Sequence, residues 1–221
     1  MRTLGGRASP ETRRIRTGRN ISFIQGRLFS GHPPFPPLSS ALEIRCFGNL
    51  AFRLGDAYLR IGNKKAAELL AYLLCHGGEP IPKQHLAGLL WPRVGGRQAL
   101  DSLYKVCAHI GALEYRGIPL RLRSSGGEIQ LDCRSISCDL FRFDALYQEK
   151  DNIASCHTLL DIYAGPLLQT QGYDWLAPWE ARYELRYVEI LTSLLSHYER
   201  SGDATRAGVF RKKLLLFSGS D

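Results

Sequence analysis

The segment RQALDSLYKVCAHIGALEYRG, residues 97–117, constrains the fold of this chain most. Its apolar residues recur at helical spacing. It follows a shorter helical segment, PIPKQHLAGLLWP, that is stopped by Pro92 and the VGG turn, and it precedes IPLRLRSSGGEIQLD, a strand, a Ser-Ser-Gly-Gly turn and another strand. Upstream, NKKAAELLAYLLCHGG is a helix with both ends marked: Asn63 can cap its start and Gly77 can end it. Leu69, Leu70, Leu73 and Leu74 make its buried stripe. Successive helices closed by a β-hairpin describe a winged helix-turn-helix, with residues 97–117 in the place of the helix that enters DNA and the hairpin as the wing.

The flanking segments extend this reading in both directions. LEIRCFGN and LAFRLGDAYLRIG alternate apolar and polar residues about Gly48-Asn49 and Gly55-Asp56 turns, which predicts three short antiparallel strands before the first helix. After Asp132, CDLFRFDALYQEK and NIASCHTLLDIYAG read as helices, followed by the Gly/Pro/Trp-rich connection GPLLQTQGYDWLAPW. Helices at roughly 179–200 and 203–217 close the chain, and their joint HYERSGDATRAG resembles a tetratricopeptide turn through Tyr198, Gly202-Asp203 and Ala207. One such hairpin cannot bury its own apolar face, so it must lean on neighbouring helices, on the winged helix or on a second chain. The expected fold class is α+β: a winged helix at 41–133, then an all-α tetratricopeptide-like region at 138–217.

Charge is distributed unevenly. The 221 residues carry a net +8, but residues 1–40 hold seven arginines and one glutamate, while the rest holds 22 basic and 20 acidic residues. The first 40 residues, ending in HPPFPPLSS, read as a disordered basic tail with a stiff Pro-rich linker. Their Arg-rich, acid-poor start is shared with organelle transit peptides, but the amphipathic periodicity of such peptides is missing. No run of apolar residues is long enough for a transmembrane helix, so no membrane partner is expected. Cys46, Cys75, Cys107, Cys133, Cys138 and Cys156 are scattered, without C-x-x-C or zinc-finger spacing. They read as reduced, structural thiols in a cytoplasmic protein, with no metal and no cofactor. Neither a nucleophile elbow, an H-E-x-x-H nor a P-loop pattern is present, and the histidines fall on separate helices, so no enzyme is expected.

From about Leu42 to Phe217 the chain resembles bacterial transcriptional activator domain (BTAD) proteins, the group that includes SARP-type antibiotic-regulatory activators. The segments that carry the likeness are KKAAELLAYLL, PIPKQHLAGLLWP, LRSSGGEIQL, CDLFRFDAL and DWLAPWEARYELRYVEILTSLLSHYERSGD. The resemblance implies a response-regulator-type winged helix that binds double-stranded promoter DNA. It also implies a helical domain for homodimerisation or contact with RNA polymerase. Two departures stand out. The family's helical domain usually runs further, so the chain reads as a shortened member. In addition, the family's S-R-L-R-R-type run is replaced here by Ala108, His109, Ile110, Gly111 and Ala112.

At 100° per residue, Leu100, Leu103, Cys107 and Ile110 share one side of the third helix, flanked by Val106 and Tyr104. Gln98, Asp101, Lys105, Ala108 and Ala112 then form the opposite stripe, with Arg97 and His109 at its margins. Gln98 can read an adenine edge, and Arg97 or Lys105 can contact guanine or phosphate. On the wing, Arg121 and Arg123 alternate, with Ser124 and Ser125 at the tip, which suits backbone contact. The candidate DNA-binding residues are therefore Arg97, Gln98, Asp101, Lys105, His109, Arg121, Arg123, Ser124 and Ser125. The alternative is a protein-interaction module whose winged helix has lost DNA binding.

Overall fold

The computed structural model describes residues 41–218, with side chains through 217; the basic tail read at 1–40 lies outside the described residues. Strands β1 (Leu42–Arg45), β2 (Ala51–Leu54) and β3 (Ala57–Leu59) form the expected antiparallel meander, with Leu42 opposite Leu54 and Ile44 opposite Phe52 on the buried face. On the other face Glu43 and Arg53 are also opposite each other and pair at 2.6 Å.

Helix α1 (Lys64–Cys75) starts where Asn63 Oδ1 accepts the amides of Lys65 and Ala66 at 3.0 and 3.2 Å. It ends at two left-handed glycines, Gly77 and Gly78, and the Gly78 amide returns to the Leu73 carbonyl at 3.0 Å. Gly78 is doubly required, because a Cβ there would lie 2.6 Å from the Cys133 sulfur. Strand β4 (Ile81–Pro82), helix α2 (Lys83–Leu90) and helix α3 (Gly96–Tyr115) follow.

The wing is β5 (Leu122–Ser125) and β6 (Glu128–Leu131), and β4 adds to its edge in the order β4-β6-β5. Ser124 and Ser125 are strand residues opposite Ile129 and Glu128, so the turn is shorter than the sequence reading placed it. Gly126 and Gly127, with φ of 59° and 86°, make it alone, because only they take the two positive φ angles a tight hairpin requires.

Like β4, which the sequence reading took as part of the second helix, a further strand was not expected. A 3₁₀ turn at Cys133–Ser135 leads into β7 (Ile136–Cys138), which runs parallel to β1 and completes a sheet ordered β3-β2-β1-β7. Helices α4 (Asp139–Tyr147), α5 (Ile153–Ile162), α6 (Ala177–Arg200) and α7 (Ala204–Ser218) form the helical region. Asn152 caps α5, and Asp203 accepts the Arg206 amide at the α6–α7 joint, where Ala207 and Phe210 bury against Tyr198.

The sheet and the helices share one core. The Asp139 carboxylate, at the start of α4, accepts the amides of Cys46, Phe47 and Leu140 at 2.8–2.9 Å. The Phe47 ring lies 5.1, 5.0 and 5.3 Å from those of Phe143, Tyr163 and Tyr183. All six cysteines are unbridged. Cys46 and Cys138 bring their sulfurs to 3.9 Å beside Asp139. Hydrogen bonding to Cys138 and then burial push the Cys46 thiol well above its ordinary value. Among the described residues no helix is long and apolar enough to cross a membrane.

Candidate nucleic-acid interface

Helix α3 buries Ala99, Leu103, Val106, Ile110 and Leu113 against α1 and α2. This stripe is rotated toward Ala99 and Val106 relative to the one drawn from periodicity. Leu100 and Cys107 are only half-buried, and Tyr104 is 50% exposed with Lys83 Nζ 5.7 Å from its ring. Helical phase gives the direction of a stripe; the positions of neighbouring helices decide where its edges fall.

The opposite face is open. Arg97, Gln98, Asp101, Lys105, Ala108 and Ala112 are all exposed on it, joined by Gly111. Among the described residues neither Arg97 nor Lys105 has an acidic partner, and the same holds for Arg93 before the helix and Arg116 after it. Helix α3 also begins at Gly95 without a side-chain cap, so its first amides remain open to an anion. Asp101 is the acid on this stripe; against DNA it can accept from a base amino group, such as that of cytosine, and it repels phosphate. His109 stands apart from the others: it is half-buried, and its Nε2 is enclosed without a hydrogen-bond partner.

The wing is fastened to the helices rather than free. Besides the β4–β6 pairing, the Gly127 carbonyl accepts the Lys83 amide at 2.9 Å, tying the hairpin turn to the start of α2. At the wing's other end Arg121 Nε donates to Glu114 on α3 at 2.6 Å. Arg123 shares Asp132 with Arg134, at 2.8 and 2.5 Å. The Arg134 guanidinium foremost, then that of Arg123, holds the Asp132 carboxyl well below the usual carboxylate range.

Apart from His109, the structure therefore splits the candidate residues into three groups. Arg97, Gln98, Asp101 and Lys105 converge on one exposed stripe. Arg121 and Arg123 are exposed but already paired, and Ser124 and Ser125 lie exposed at the end of β5. Arg134 was missed by the sequence reading; its only signal there is its place two residues after Asp132, whose carboxylate accepts both its amide and its side chain.

Among the described residues, His76, His85 and His157 hydrogen-bond within the packed helices. His85 Nε2 lies 2.8 Å from the Tyr72 hydroxyl and His157 meets the Tyr198 hydroxyl, ties between packed helices, while His76 Nδ1 bonds the Tyr72 carbonyl at the end of α1 itself.

No protein-family model matches the chain, and no curated protein matches it. Among solved structures it is similar to Mycobacterium tuberculosis EmbR in complex with a low-affinity phosphopeptide. The TM-score is 0.68 at 19% sequence identity, over 81% of this chain and 51% of the EmbR chain, so the chain spans about half the length of the structure whose fold it shares.

Proposed function

We propose that this chain is a DNA-binding transcriptional regulator of the bacterial activator type, not an enzyme, acting in the cytoplasm. In this reading residues 41–133 hold promoter DNA, and the helices at 138–217 serve self-association or contact with the transcription machinery. The observation that carries it is the outer stripe of α3: a 20-residue helix, supported from behind by α1 and α2, presents the exposed side chains of Arg97, Gln98 and Lys105, with no acidic partner for either cation among the described residues. The fold shared with EmbR supports the architecture of the reading. On this view Arg97 and Lys105 contact guanine or phosphate, Gln98 reads an adenine edge, and the wing arginines contact the backbone.

The test is a fluorescence-anisotropy titration of genomic fragments at two salt concentrations, for residues 41–221 and for the full chain. Salt-dependent, sequence-selective binding by the core is expected. Replacing both cations, Arg97→Ala with Lys105→Ala, should weaken specific binding by ~1–3 kcal/mol per lost contact and flatten the salt slope by about one unit per phosphate. The melting temperature should not change. Absence of binding by the core, or binding without sequence preference by the tail-containing form alone, would overturn the proposal.

A second reading is favoured by the other half of the same stripe. Ala108, Gly111 and Ala112 carry no charge, and Tyr115 is 94% exposed, a surface that suits a protein partner as well as a groove. An interaction module would show no DNA binding while remaining folded.

A further inference from the structure

A cavity of about 680 Å³ opens between the β2–β3 hairpin, the start of α1 and the segment 170–174. That size is in the range that small-molecule sites occupy. Its walls divide by chemistry. Leu50, Phe52, Leu59 and Ile61 supply an apolar floor from the hairpin and the link that follows it. Arg60 and Lys64 stand at its edge, both exposed and without an acidic partner among the described residues. Lys65 and Glu68 also reach the cavity but neutralise each other at 2.7 Å. The remaining acid, Asp174, is exposed on the opposite wall, so the lining keeps an excess of positive charge.

The far wall is a held surface. The Gln169 amide bonds the Gly48 carbonyl at 2.9 Å, and the Thr170 hydroxyl bonds Asn49 at 3.0 Å. Tyr173 donates to Gln171 at 3.0 Å and stacks on Trp175 at 5.3 Å; Trp175 in turn stands edge-on to Tyr72 of α1. Burial, with Glu68 nearby, pushes the Tyr173 hydroxyl up to about 12, and its hydrogen stays donated to the Gln171 side chain.

We propose that this cavity binds a small organic anion, its apolar body on the Leu50–Phe52–Leu59 floor and its carboxylate or phosphate between Arg60 and Lys64. Free cations alone would equally suit a nucleic-acid backbone. The apolar floor decides against that occupant, because a phosphodiester strand has nothing to place on it. The site joins the strands and first helix of the winged-helix part to the segment leading into α6, so an occupant touches both. It is independent of the α3 stripe and stands whether or not α3 binds DNA.

The full chain is titrated by calorimetry and by tryptophan fluorescence with phenyl phosphate, phenylacetate, inorganic phosphate and benzyl alcohol. Saturable binding of one or both aromatic anions is expected, with a fluorescence change from Trp175; the tighter of the two identifies the anionic group. Benzyl alcohol, which lacks the charge, and inorganic phosphate, which lacks the apolar body, should each bind at least about tenfold more weakly. Arg60→Ala with Lys64→Ala should lose about tenfold in anion affinity with an unchanged melting temperature, since both side chains are exposed. The Arg97→Ala, Lys105→Ala protein should bind the anions normally. Equal binding of all four probes, binding of none, or an unaffected Arg60/Lys64 variant would overturn the assignment. So would a variant that loses affinity only for DNA.

Discussion

The Asp132 carboxylate holds Arg123 at 2.8 Å and Arg134 at 2.5 Å, and it also accepts the Arg134 amide. It therefore sets how much charge the wing can offer to a phosphate. Exposed ion pairs of this kind contribute little to stability, but they occupy donors that a phosphate could otherwise use. Asp132→Asn keeps the shape and the amide acceptor while releasing two arginines. If the wing contacts the DNA backbone, this variant should bind DNA more tightly, with a salt slope steeper by about one unit per phosphate gained. An anisotropy titration over a salt series checks this, and an unchanged slope would remove Arg123 and Arg134 from the interface. The pH dependence has a defined sign. A carboxyl depressed in the folded state contributes above its unfolded pKa and loses that contribution as pH falls through the folded value. The clip should therefore persist through the range where ordinary carboxylates protonate, and a carboxyl-carbon NMR titration should find Asp132 still ionised there.

Helix α3 shows which parts of an element a sequence makes visible. Its existence, its place before the wing and the exposure of Arg97, Gln98, Asp101 and Lys105 followed from helical spacing over a long segment. The edges of its buried face did not, because Tyr104 and Val106 lie within the tolerance of that spacing and neighbouring helices decided between them. Strands β4 and β7, two and three residues long, carry too few positions for an alternation to be read. Even a readable β7 would not have revealed its parallel partner β1, which lies more than ninety residues earlier in the chain. The ion pairs that occupy Arg121 and Arg123 were equally hidden, since Glu114 and Asp132 reach them only through the fold. Ala108 offers a test at this scale. It is exposed on the outer face of α3 in a position with no charge of its own. Ala108→Arg should leave stability within ~0.5 kcal/mol, as surface substitutions do. It should also steepen the salt slope of DNA binding by about 0.9, the effect of one added phosphate contact. A steeper slope in the absence of lost stability places this face against DNA; an unchanged slope turns it toward a protein.

At the scale of the molecule, the winged helix and the helical region cannot be treated as beads on a string. Strand β7 continues the sheet that begins with β1, Asp139 of α4 satisfies the amides that end β1, and Leu168 returns its amide to the Cys46 carbonyl at 2.7 Å. Phe47 sits where these meet, 3% exposed, among aromatic rings from α4, the segment after α5 and α6. Removing its ring deletes contacts to both regions at once and leaves a cavity that rigid neighbours on a sheet and two helices cannot close. Phe47→Ala should therefore cost ~3–5 kcal/mol. The loss should be shared: residues 41–221 should unfold in urea as one transition whether followed by far-UV circular dichroism or by tryptophan fluorescence, and the variant should move both curves by the same amount. Trp91 reports from the end of α2, Trp175 from the approach to α6 and Trp179 from its first turn, so fluorescence samples both regions. Two separated transitions, of which Phe47→Ala shifts one, would mean that the regions fold independently and that β7 joins the sheet as an accessory. One displaced transition would mean that any occupant biasing the helical region also changes the stability of α3.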